Sequence, residues 1–429
     1  MAEVTPRLRG GDHHPTWQAC RRGFVASSTE VDYGPPRRLL ASALILVVLG
    51  ISAVAILGMV VLWPDPDKVP RGENPYAAEG VSTVDGEVTR VVPFDCNSGG
   101  EGPDQQPSVP GDCARVAAST ADEKATFTLD PGRFRAGIEV GDDIRMIRIQ
   151  PPGQTVSWEF LDFKRGLPLT ALAIIFALLV VLVARWRGLF ALVGIGVTLL
   201  ALTKFILPAM LAGESPLPVA VVGSTAIMIA VLYLAHGVSI RTTSALFGTF
   251  AGIGLTALIG FGSTAWTNLS GVGTEDDQAL VATVPALDLS GVVAATMVIA
   301  GLGVLNDVTV TQASAVWELR ALRPAAGRRA VFASAMRIGR DHIASSVYTL
   351  VFAYAGSAMT VLLLITAYQR GLAEIATTED IGQEIVRTLV GAIGLVLAVP
   401  VTTALAVFMV PKPVDEPLVV AEVGPVEPA

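Results

Sequence analysis

Asp307, Thr311, Ser314 and Glu318 fall at i, i+4, i+7 and i+11 of one run, and at 100° per residue these positions share one side of a helix. The run continues an apolar stretch long enough to cross a bilayer, so carboxylates and hydroxyls line up at or near membrane depth. Groups of this kind relay protons or pass ions and polar solutes, and hydrocarbon does not solvate them. A second set, Asp341, Ser345 and Tyr348, repeats the i, i+4, i+7 spacing at the entry to the next apolar run, with Arg340 beside it. Both stripes are expected to face the interior of a helix bundle or water. Two placements of Asp307 stay open. Either the span ends near Leu305 and Asp307 is solvated on a cytoplasmic extension, or the helix is continuous. In the second case Trp317 is an aromatic anchor at headgroup level and Asp307 lies about 15 Å deep. Arg340 either pairs with Asp307 across the two helices or snorkels to lipid phosphates.

Other chemistry is poorly represented. The sequence holds no G-x-x-x-x-G-K-[ST], no H-E-x-x-H and no G-x-S-x-G, and His13, His14, His236 and His342 are scattered. No enzyme activity, metal or cofactor is therefore expected, and nothing points to nucleic acid.

The elements that must carry the stripes are apolar. Over 429 residues, 52% are hydrophobic and 16% charged, with a mean hydropathy of +0.58, a composition that excludes an ordinary soluble fold. The hydrophobic residues gather into eight runs of about 20, the length of a spanning helix: 39–63, 167–184, 188–211, 217–236, 245–265, 289–313, 344–366 and 388–410. The expected fold class is an all-α polytopic bundle with a small extracytoplasmic β-rich domain at 64–166. Residues 1–38 and 411–429 read as cytoplasmic tails, 39–63 as a signal anchor and 167–410 as a seven-helix transmembrane domain.

Orientation follows from charge. Arg37 and Arg38 precede the first run while Asp65 and Asp67 follow it, and residues 318–342 hold six arginines against Glu318 and Asp341. The positive-inside bias puts that arginine-rich segment and both termini in the cytoplasm. Arg328, Arg329, Val331, Phe332, Ala335 and Met336 alternate at helical spacing, so the stretch 325–336 reads either as a helix on the inner membrane surface or as a plain loop. Lys204 is expected to snorkel outward and His236 to cap a helix end.

Within 64–166, residues 81–92, 125–129 and 144–149 carry strand patterns, with turns expected at Asp85-Gly86, Pro131-Gly132 and Gly141-Asp142-Asp143. A small antiparallel barrel or sandwich follows, an OB-like barrel being one form of it. Cys96 and Cys113 flank a Gly/Pro/Ser-rich loop there and are either bridged or free thiols.

Three stretches carry a family resemblance: Leu287-Asp288-Leu289-Ser290-Gly291, then Gly301-Leu302-Gly303-Val304-Leu305-Asn306-Asp307-Val308-Thr309-Val310, and Ile338-Gly339-Arg340-Asp341 followed by Leu350-Val351-Phe352-Ala353-Tyr354-Ala355-Gly356. On these the chain, from about 165 to 410, resembles the YibE/F-like family of bacterial membrane proteins. Thr309, Thr311 and Gln312 depart from the small residues that the family carries after the aspartate-valine pair. The resemblance implies a polytopic inner-membrane protein and names no substrate. The leading expectation is a permease-like protein moving a solute or ion along the polar faces of the sixth and seventh spans. The competing one is a scaffold or sensor whose outer domain binds a partner or envelope ligand. The bilayer, a second copy or another membrane protein are the expected partners.

Overall fold

A computed structural model describes residues 38–70, 80–96, 111–368 and 371–411. The tails 1–37 and 412–429 lie outside the described residues. The first helix, α1, is Arg38–Val61. Five antiparallel strands follow: β1 (Val81–Asp95), β2 (Asp112–Ser119), β3 (Lys124–Leu129), β4 (Asp143–Ile149) and β5 (Ser157–Phe163), in the order β3-β2-β1-β4-β5.

The long strand β1 is shared between two partners. Its first half, Val81 to Glu87, pairs with β4, and its second half, Glu87 to Asp95, pairs with β2. The turn expected at Asp85-Gly86 is therefore absent: both residues lie within the strand, with Asp85 opposite Arg145 and Gly86 opposite Ile144. Gly86 sits at the corner where β1 changes partner, and a Cβ there would come within 2.8 Å of the Ser119 carbonyl oxygen. Glycine is what lets a strand bend sharply with another backbone so close. Pro131-Gly132 likewise makes no hairpin. It opens one helical turn, α2 (Pro131–Phe134), capped by the Asp130 carboxylate. The sheet curls until β3 lies against β5, with the Phe127 and Phe160 rings 6.2 Å apart over a core of Val88, Val116, Leu129, Ile144 and Met146. Cys96 and Cys113 are disulfide-bonded with their Cα atoms 5.6 Å apart, and the loop they close, 97–110, lies outside the described residues.

The remaining helices are α3 (Gly166–Ala201), α4 (Leu207–Leu211), α5 (Pro216–His236), α6 (Ile240–Trp266), α7 (Glu275–Thr283), α8 (Leu289–Leu322), α9 (Arg328–Ser357), α10 (Met359–Ala367), α11 (Leu372–Ile375) and α12 (Glu379–Met409). Among the described residues six helical stretches are long and apolar enough to cross a membrane, and a seventh if α9 and α10, bent by 63°, count as one. This is a membrane protein. Backbone amides in hydrocarbon must be satisfied within their own segment, which is why the apolar runs are helices.

One of the six, Gly166–Leu211, is 46 residues long, about 69 Å of helix against a hydrocarbon core of about 30 Å. It does not run straight. Arg185 leaves the helical region with φ 52° and ψ −132°. A Cβ on Gly188 would then lie 2.4 Å from the Val180 carbonyl oxygen, eight residues earlier, a separation that unbroken helix would stretch to about 12 Å. The chain turns back at Arg185, and Gly188 permits the contact. Further on, a π-helical turn at Leu202–Ile206 precedes Pro208. The wider turn accommodates a residue that lacks an N–H and whose ring crowds the preceding turn. Lys204 is exposed on this turn.

The buried centre of the bundle is formed by α5, α6, α8 and α12, while α1 and α3 are almost wholly exposed. Lipid tails are as apolar as leucine, so close approach at small residues, rather than hydrophobicity, brings such helices together. Gly248 and Gly252 of α6 are two such points. A Cβ on Gly248 would sit 2.1 Å from Thr402 Oγ1, and one on Gly252 would sit 2.7 Å from the Leu305 side chain.

In the sheet, Asp85 accepts from Arg145 Nε at 2.8 Å and meets Lys164 Nζ at 3.1 Å. The Arg145 hydrogen bond, helped by Lys164 and opposed by slight desolvation, holds the Asp85 carboxyl below its ordinary range. A lowered native value stabilises above the ordinary carboxylate value of about 4 and is lost as pH falls through the native one. The groups are exposed enough that the effect is about 1 kcal/mol or less. Asp85→Asn should therefore speed hydrogen exchange in peptides spanning 81–87 and 143–149 at pH 7, and its difference from the parent protein should shrink as pH falls below the ordinary carboxylate value of about 4.

Candidate functional site

Helix α8 is unbroken from Leu289 to Leu322, so the apolar run and the polar stripe belong to one helix. Its two long sides differ. Leu305, Val308, Thr309, Gln312, Ala313, Val316, Trp317 and Arg320 are buried, whereas Asp307 and Glu318 are exposed and Thr311 and Ser314 half-buried. The polar stripe thus lies on the outer surface of the bundle and not in its interior. Trp317 is 7% exposed and packed in the core, so it is no lipid-facing anchor. At 100° per residue it lies about 40° from Ala313 and about 60° from Arg320, on the buried side.

Contacts with neighbouring helices give the height of Asp307. Thr309 shares a hydrogen bond of 2.8 Å with Thr249 of α6, which lies nine residues, about 14 Å, in from Ile240. Leu305 meets the positions of Gly252 and Ala398, about 18 Å in from Ile240 and about 17 Å in from Met409. Asp307, between Leu305 and Thr309, is therefore about 15 Å from the nearer ends of both helices. A carboxylate at the middle of a span costs about 2.5–3.5 kcal/mol on insertion scales.

Helix α9 begins at Arg328, directly after a five-residue connection, 323–327. Residues 325–327 complete that connection, and from Arg328 the stretch forms the first turns of α9, with Val331 and Ala335 buried against the bundle. Arg320, 4% exposed, donates to the Ala326 carbonyl at 2.5 Å and holds this connection closed. Arg340, Asp341, Ser345 and Tyr348 are all exposed, and Tyr348 stacks on Phe352 with ring centroids 6.4 Å apart. Among the described residues Arg340 makes no ion pair with Asp307. The two lie at similar heights all the same. Gly339 abuts Gln312, five residues from Asp307, which places Arg340 and Asp341 within about 8 Å of it along the axis.

Gln312, noted in the sequence only as a departure from the family pattern, bridges three helices. Its Nε2 donates to the Ala335 carbonyl of α9 at 2.9 Å and to Thr403 Oγ1 of α12 at 2.8 Å. Thr403 in turn donates to the Val399 carbonyl at 2.7 Å, which leaves a lone pair for Gln312. A Cβ on Gly339 would lie 3.0 Å from Gln312 Oε1 and 2.8 Å from Val399 Cγ1, so only glycine leaves room there. The available signal was positional: Thr309 and Gln312, at i and i+3, interrupt the same face as Leu305, Val308 and Val316. Asp288, also in the quoted motifs, is an N-cap that accepts from Gly291 N at 3.0 Å. No group of three or more His, Cys, Asp or Glu side chains positioned to hold a metal occurs among the described residues.

The model of the YibE/F-like protein family matches residues 172–412, more than half of the chain. No curated protein and no solved structure matches. The matched segment contains the whole α6–α8–α9–α12 contact. Gln312→Ala removes the bonds that tie α8 to α9 and α12 and opens a cavity, a loss of about 2 kcal/mol or more. It should lower the thermal midpoint of the detergent-solubilised protein by several degrees, whereas Ser314→Ala, on the outer face, should leave it within a degree.

Proposed function

The chain belongs to the YibE/F-like family, and from that starting point we propose a permease that moves an ion or small polar solute along the outer faces of α8 and α9. The observation that carries this reading is the height of Asp307. A carboxylate about 15 Å from the helix ends, followed on its own face by Thr311, Ser314 and Glu318, is an arrangement lipid does not solvate. Arg340, Asp341, Ser345 and Tyr348 extend the polar surface onto α9. Asp307 is the charged step of the path, and the hydroxyls replace hydration along it.

The same reading takes the chain across the bacterial inner membrane eight times. The reversal at Arg185 divides Gly166–Leu211 into two crossings, and the bent α9–α10 pair makes one more. Both termini are then cytoplasmic and residues 64–166 extracytoplasmic. The exposed Arg323, Arg328, Arg329 and Arg337 around the α8–α9 connection favour this orientation, and so does the disulfide in the β-rich domain. In the competing reading, the curled sheet binds an envelope partner and the helices only anchor and report.

Proteoliposomes holding the full chain separate the two. With pH-sensitive and cation-sensitive dyes inside, the permease reading expects flux that Asp307→Asn reduces at least tenfold and that deletion of residues 70–160 leaves measurable. The reverse sensitivity supports the sensor. A phosphatase reporter fused after Arg329 should be inactive in cells, and activity there would overturn the eight-crossing topology.

A further inference from the structure

We propose that a second copy of this chain docks against the outer face of α8 and α9, forming a two-fold dimer in the membrane whose contact pairs Asp307 with Arg340. This goes beyond the permease reading and does not depend on it. Several observations converge. Asp307 is exposed although the neighbouring helices place it about 15 Å from their ends, where neither lipid nor headgroup solvates a carboxylate. Arg340 and Asp341 are exposed at nearly the same height, and Arg340 is not paired with Asp307 within the chain. The surface thus carries both signs of charge. Finally, the α8 stripe above and below Asp307 is small: Ala300 and Gly303 are exposed and Ser314 half-exposed, and a Cβ on Gly303 would meet nothing within 4 Å.

Charge decides the occupant. In a two-fold contact residue i meets residue j and j meets i, so Asp307 of one copy set against Arg340 of the other is repeated by symmetry. Four charges that lipid would reject become two pairs. The small residues let the two α8 helices approach closely, which is how helices associate where no hydrophobic force acts between them. An unrelated partner would have to bring its own matching charges to this height, whereas a second copy already has them.

Cysteine cross-linking tests this on the full chain in a Cys20→Ser background. Gly303→Cys and Ser314→Cys on the stripe, and Ala295→Cys on the buried side of α8, are oxidised in native membranes and in liposomes holding the purified protein alone. The stripe variants should convert to a species of twice the 44.7 kDa chain mass in both settings, and Ala295→Cys should not. Asp307→Asn should lower the Ser314→Cys yield several-fold and Asp307→Arg tenfold or more. Asp307→Arg combined with Arg340→Asp should restore it, a rescue that misfolding cannot produce. The proposal is overturned if the stripe cysteines stay monomeric, if they link only to a chain of another mass, or if yields ignore the charge changes. Labelling by a membrane-impermeant maleimide without cross-linking overturns it too, since the face is then a water-filled groove. Because association is read without flux, a protein that cross-links but transports nothing sinks only the permease reading.

Discussion

The Gln312 side chain holds three helices at one height, and much else in the bundle takes its position from that bond set. One amide on α8 donates to a backbone carbonyl of α9 and a hydroxyl of α12. In water such bonds would be traded against solvent at little net gain. Within a bundle in lipid the alternative partner is absent, so the bonds specify which helices meet and in which register, even where each adds only about 1 kcal/mol. The absence of a side chain at Gly339 gives the amide its room.

Around this point the bundle is fitted by removal of side chains more than by interlocking large ones. Gly248 admits Thr402, Gly252 admits Leu305, and Gly394 admits Thr256. Several buried hydroxyls return a hydrogen bond to their own helix, as Thr249 does to the Ala245 carbonyl and Thr402 to the Ala398 carbonyl. They can therefore line a contact without leaving a polar atom exposed to hydrocarbon. The same packing turns Asp307, Thr311 and Ser314 away from the core. The polar surface with chemical potential is consequently outside the bundle, where its environment is set by whatever covers it.

The β-rich domain obeys a different rule. It is held by a hydrophobic core and by one strand long enough to serve two partners, with Gly86 at the corner and Asp85 tied to Arg145 and Lys164 beside it. Alternation in 81–92 announces a strand, yet Asp85-Gly86 has the residues of a turn. A dipeptide that prefers a turn in isolation is kept extended here because Asp85 and Gly86 are laddered to Arg145 and Ile144 of β4. Tertiary pairing outweighs the local preference.

The apolar runs, the arginine-rich cluster and the i, i+4, i+7 spacing of the stripes were legible in the sequence because each depends on residues near one another in the chain. So was the family, through motifs whose acidic, arginine and glycine positions hold their spacing. The runs 167–184 and 188–211, parted by Arg185 and Arg187, already implied a reversal there, and the folded chain narrows it to one non-helical residue, Arg185, with Gly188 against Val180. Helical periodicity put Asp307, Thr311, Ser314 and Glu318 on one side of α8. It contains no information about which side of a helix its neighbours occupy, and that was settled by Gln312, Gly339 and Thr403, residues separated by up to 91 positions in the chain. The height of Asp307 was equally a tertiary matter, since it is measured against α6 and α12. The sequence by itself determined what can cross a membrane and where the charges are; the contacts decided which of those charges the bundle turns outward.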